Sequence, residues 1–181
     1  MSIGTFISSA IDNLNKNRYD VALALVCSAV DATASTQYPE IKENNKRYKK
    51  FLKNNMRIIT TYGFPGITAS GISIKCHNIP DIKADSEGHT DIENILYHII
   101  RCSLIHQCEI DQRIDFVPYT HIGDFEDKFR IPDSLVFGLL LSVVLAECNK
   151  QEKLDKDYVL NLNEKSLSIN KIWGNFKNFN I

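Results

Sequence analysis

The segment Leu96-Tyr97-His98-Ile99-Ile100-Arg101-Cys102-Ser103-Leu104-Ile105-His106-Gln107 decides how the chain is read. Its apolar residues continue a stripe begun at Ile92 and Ile95, so the spacing predicts a helix buried along one side. Within that helix stand an arginine and a histidine five residues apart. On an ideal α-helix they are separated by about 140° and flank a common edge. A guanidinium among isoleucines and leucines costs on the order of several kcal/mol unless it finds a partner. The segment therefore holds either a structural ion pair or a site.

Working outward, helical periodicity governs the first third of the chain. Ile3, Phe6, Ile7, Ala10, Ile11 and Leu14 form one stripe, and a second helix runs from about Tyr19 to Thr36 before Pro39 stops it. Asp31 sits in the middle of that second helix, between Val30 and Ala32. A third helix is expected over roughly 40–56, with Ile41, Tyr48, Phe51 and Leu52 inward and a basic outer face. From Gly63 to Gly88 the pattern dissolves into a glycine- and proline-punctuated excursion, with a short strand expected at Ile72–Cys76. Thr90 and Glu93 read as a capping box that opens the arginine–histidine helix. After a mixed loop, a last helix from Pro132 to Cys148 is apolar almost all round, as at the centre of a bundle. Alternation at Tyr158–Leu162 and Leu167–Ile169 predicts a small C-terminal hairpin.

These residue types suit one chemistry in particular. RNA carries its own nucleophile, the 2′-hydroxyl, so a base to remove its proton and a cation for the developing phosphorane charge are enough. A histidine titrating near pH 6.5 suits the first task and the planar arginine fork suits the second. The alternative from the residues alone is a salt bridge from Arg101 to Asp31, with His106 as a hydrogen-bonded core residue. His98, Cys102 and His106 also share one helical face. The outer two lie about 12 Å apart, too far to share one ion, so no metal and no cofactor are assigned.

Arg101 and His106, with Leu96-Tyr97 before them, resemble the R-x4-6-H signature of the HEPN superfamily. The small-residue stretch Ala22-Leu23-Ala24-Leu25-Val26-Cys27-Ser28-Ala29-Val30-Asp31-Ala32 resembles the second helix of its bacterial defence-associated members. The resemblance implies a mainly all-α, HEPN-like antiparallel helical bundle with a long irregular insertion. It implies a homodimer through the Arg101/His106 helix and metal-independent RNA cleavage leaving a 2′,3′-cyclic phosphate and a 5′-hydroxyl. In that scheme Arg101 holds the scissile phosphate and His106 moves the 2′-hydroxyl proton, with Asp31, Tyr97 and Cys102 in support. A toxin or phage-defence setting follows, with RNA and a cognate antitoxin or defence protein as partners. The alternative is a non-catalytic module of the same type that binds RNA, nucleotide or a partner protein. Two departures stand out: Cys102 follows the arginine where many active members carry Asn, Asp or His, and Cys108 replaces a modifiable tyrosine.

Composition sets the outer bounds. The 181 residues, 44% hydrophobic and 24% charged, suit one globular domain over 1–181. A net charge of −1 argues against coating nucleic acid by bulk electrostatics. The charge is nevertheless polarised, since Lys42–Arg57 holds seven cations against the single acid Glu43. Lys46, Arg47 and Lys50 are the expected contacts to an RNA backbone, with Tyr48 for stacking. Five scattered cysteines suit a reducing cytoplasm, and no stretch suggests a membrane anchor.

Overall fold

The structure is a computed structural model that describes residues 2–76, 82–102, 112–162 and 165–176. Helix α1 (Ile3–Leu14) is capped by Ser2, whose hydroxyl accepts the Thr5 amide at 3.2 Å. It packs its Ile7, Ala10 and Ile11 face on α2 (Tyr19–Gln37), which buries Ala22, Leu23, Val26, Cys27, Ala29 and Val30. Small residues along α2 let its neighbours approach closely. Helix α3 (Asn44–Asn54) turns Tyr48, Phe51 and Leu52 inward and its lysines outward. At Asn55 the chain redirects into α4 (Met56–Gly63), a separate helix where the sequence predicts only the end of α3.

Helix α6 (Leu135–Val144) is buried along nearly its whole length and packs on both α4 and α2. Its crossing with α4 requires glycine. A β-carbon on Gly138 would lie 2.4 Å from the Ile59 carbonyl oxygen and 2.8 Å from the Gly63 nitrogen, closer than any side chain tolerates. At the far end of α6, buried Asn149 donates to Thr33 Oγ1 and to the Val143 carbonyl, both at 2.9 Å, and so pins the helix end to α2.

Strands correct the all-α expectation. Three small sheets accompany the helices, so the chain is a mixed α and β fold rather than a HEPN-like antiparallel bundle. Strand β1 (Ser73–Lys75) pairs antiparallel with β2 (His89–Asp91). Strands β3 (Ile114–Val117), β4 (Gly123–Phe125) and β5 (Lys128–Pro132) form a mixed sheet in the order β3-β5-β4, with β5 parallel to β3 and antiparallel to β4. Strands β6 (Val159–Leu162) and β7 (Lys165–Ser168) pair antiparallel. The physical reason lies in residues 114–132. Phe129 and Ile131 alternate with Lys128 and Arg130 at the two-residue period of a half-buried strand and are fully buried. Pro118 and Gly123 made that stretch look like a loop.

The predicted capping box at Thr90 is also corrected. Thr90 lies within β2, and its hydroxyl accepts from Asn94 Nδ2 at 3.1 Å and donates to the Lys83 carbonyl at 3.4 Å. Helix α5 (Ile92–Ile95) is a single turn that passes straight into a π-helical turn at Leu96–Arg101. Among the described residues no helix is long and apolar enough to cross a membrane.

Candidate functional site

Arg101 closes the π turn and points across to α2. Its Nε and Nη2 donate to the same Asp31 oxygen, Oδ2, at 2.8 and 2.6 Å. The side chains are 10% and 19% exposed, respectively, so this is a buried, charge-assisted pair. Burial pulls the arginine's pKa down, but hydrogen bonding to Asp31 and the charge of its carboxylate outweigh it and leave the pKa raised. Two further buried groups surround the pair. The Cys27 thiol is pushed up to about 12 by burial, and burial likewise drives Tyr48 well above its ordinary value. Neither ionises near neutrality.

Tyr97 joins this pair to the surface. Its ring lies 5.4 Å from the Arg101 guanidinium carbon on one side and 5.7 Å from Lys49 Nζ on the other, within cation–π range. It also packs edge-on against Tyr48 and His98. Lys49 Nζ donates to Asn94 Oδ1 at 3.1 Å and reaches His98 Nε2 at 3.4 Å. Here α3 and the π turn open a pocket of about 330 Å³ lined by Asn45, Lys49, Lys83, Asn94 and His98. Burial first, and the Lys49 charge second, lower the pKa of His98. A neutral His98 that accepts from Lys49 at Nε2 carries its proton on Nδ1 and offers a donor.

The fourth wall, Lys83, is held by a local turn. Asp85 Oδ1 accepts the backbone amides of Glu87 and His89 at 2.9 and 2.8 Å, and these bonds hold its carboxyl below the usual range. Below the pocket Glu93 is buried, and burial raises its carboxyl pKa.

The structure brings some of the sequence-predicted residues together and separates others. Arg101, Asp31, Tyr97 and partly buried Cys102 cluster. His106 lies outside the described residues, as does Cys108. Lys46 is exposed and pairs with Glu43 at 2.9 Å, while Lys50 faces Glu40 at 3.7 Å and covers the Tyr38 ring. Arg47 donates to the Ile41 carbonyl at 3.2 Å and to Asn44 at 3.4 Å. None of these three lines the pocket. Its cations are instead Lys49, one member of the basic cluster, and Lys83, which nothing in the sequence singled out. Among the described residues no three His, Cys, Asp or Glu side chains converge as a metal cage.

Comparison with known proteins places this arrangement. The Rv1289 family model matches residues 2–180. The chain belongs to the Rv1289 family. It is 26% identical over 183 residues to the uncharacterized proteins Rv1289 and MT1327 of Mycobacterium tuberculosis and Mb1320 of Mycobacterium bovis. The alignment covers 96% of this chain and 84% of each relative. No solved structure matches. Within the Rv1289 family, then, the candidate site here is argued from its own geometry: a cationic pocket on the surface, and a buried Arg101–Asp31 pair behind the Tyr97 ring.

Proposed function

We propose that this chain binds the phosphate backbone of RNA in the pocket between α3 and the π turn. One observation carries the proposal: two lysines, two carboxamides and a histidine donor line a concave site with no carboxylate in its walls, at one flank of a strongly basic helix. Phosphate oxygens accept from all of these groups, and lysines on an exposed helix face extend the attraction along a strand. The test is fluorescence anisotropy of a labelled single-stranded RNA across a salt series. Affinity should fall steeply with salt, and Lys49→Glu with Lys83→Glu should weaken binding at least about tenfold. A double variant that binds like wild type would overturn the assignment. As His98 takes up its proton only below the ordinary histidine range, affinity should rise toward acidic pH, and His98→Gln should flatten that rise.

A second function, metal-independent RNA cleavage by Arg101 and His106 across a twofold dimer, is favoured by one feature. Arg101 ends a π turn, a form concentrated at functional sites. Its burial and its double bond to Asp31 favour the binding role over the cleavage role. Incubation with RNA in EDTA separates them: cleavage products ending in a 2′,3′-cyclic phosphate that disappear in His106→Ala support the nuclease, and intact RNA retained by the protein supports binding alone.

A further inference from the structure

A second cavity, of about 290 Å³, lies on the other flank of α3. At about 100° per residue, Asn45 and Asn54 fall on opposite sides of that helix. Buried Tyr48, Phe51 and Leu52 fill one arc between them, and exposed Lys46, Lys50 and Lys53 fill the other. A strand leaving the phosphate pocket at Asn45 and Lys49 and crossing this lysine ridge arrives at the second cavity.

The walls there have a different chemistry. Gln37 at the end of α2, Asn54 and Asn55 at the end of α3, Glu147 beyond α6, and the partly exposed ring of Phe176 line it. The three amide nitrogens are already engaged. Gln37 Nε2 and Asn54 Nδ2 donate to the Tyr38 hydroxyl at 3.2 and 2.7 Å, and Asn55 Nδ2 donates to the Phe51 carbonyl at 2.8 Å. Three carbonyl oxygens and the Glu147 carboxylate remain, and no hydrogen bond or ion pair among the described residues uses them. The cavity is thus rich in acceptors, carries a negative charge, and has an aromatic ring beside it. It asks for a flat ligand with adjacent donors.

Among the RNA bases, guanine alone presents two neighbouring donors, N1–H and N2–H2, on its Watson–Crick edge, and these match the two oxygens of a carboxylate. We infer that this cavity is a guanine-recognition subsite for single-stranded RNA lying across α3, with Glu147 accepting the donor pair and Phe176 stacking on the base. The inference rests on the RNA-binding function proposed above.

The experiment compares labelled hexauridylate carrying one internal guanosine, inosine or adenosine. Inosine lacks the N2 amino group but keeps N1–H. Wild type should prefer guanosine about tenfold over either analogue, the value of one charge-assisted hydrogen bond. Glu147→Gln, an exposed substitution, should erase that preference while leaving plain hexauridylate binding unchanged. Lys49→Glu should lower affinity for all oligonucleotides alike. Equal binding of all three by wild type overturns the guanine subsite and leaves the RNA-binding function standing. Failure of every oligonucleotide to bind overturns both. Displacement by an arginine-rich peptide with no base preference would reassign the cavity to a basic protein segment and overturn the inference.

Discussion

Two arginine–aspartate pairs in this molecule share a chemistry and differ in everything else. Arg101 and Asp31 join the π turn to α2 at 2.6 and 2.8 Å, with little of either side chain exposed. Arg130 and Asp115 join β5 to β3 at 3.1 Å, with side chains 22% and 37% exposed. The guanidinium of Arg130 also lies 3.6 Å from the Phe125 ring centroid and reaches the Tyr119 hydroxyl at 3.4 Å. Water competes for the second pair and is excluded from the first. The lesson is that the contact alone says little, because burial decides what its loss leaves behind.

Arg101→Ala should have the largest effect. It strands Asp31 in the interior and is expected to remove about 3–5 kcal/mol of stability, measured by urea denaturation. A loss under about 1 kcal/mol would erase the contrast between the pairs. Arg101→Met combined with Asp31→Leu sharpens the contrast, because removing both charges should recover most of that loss. Glu93→Gln comes next. Burial puts the folded pKa of Glu93 above its unfolded value, so its contribution to stability is full below the unfolded pKa and lost as pH rises through the folded one. The glutamine variant should therefore melt higher than wild type at neutral pH, with the gain vanishing in acid. Arg130→Ala should have the smallest effect, at most about 1 kcal/mol and shrinking with added salt.

The helical part of the molecule was legible because its signals are local. Stripes at Ile7, Ala10 and Ile11 and at Tyr48, Phe51 and Leu52 report which faces are buried before any neighbour is known. The need for a partner to Arg101 was legible for the same reason: a lone guanidinium and a lone carboxylate, each inside an apolar helix, have nowhere else to go. The β segments were not legible. Strands of three to five residues hold too few alternations to outweigh Pro118 and Gly123, and β3 finds β5 only through a parallel pairing across the intervening chain. The pocket was half legible. Lys49 belongs to an evident basic helix, whereas Lys83 arrives only because Asp85 folds its own loop back on itself. Helix α4 was missed because the break at Asn55 carries no proline or glycine.

The wide turn at Leu96–Arg101 has an evolutionary corollary. A π turn holds one more residue than the α turn it replaces, so the spacing between Ile95 and Arg101 is fixed by chain length as well as by side-chain choice. Deleting one residue there and restoring ordinary winding swings all that follows by about 100° and carries the guanidinium away from Asp31. Insertions and deletions, rather than substitutions, are what this helix has to exclude.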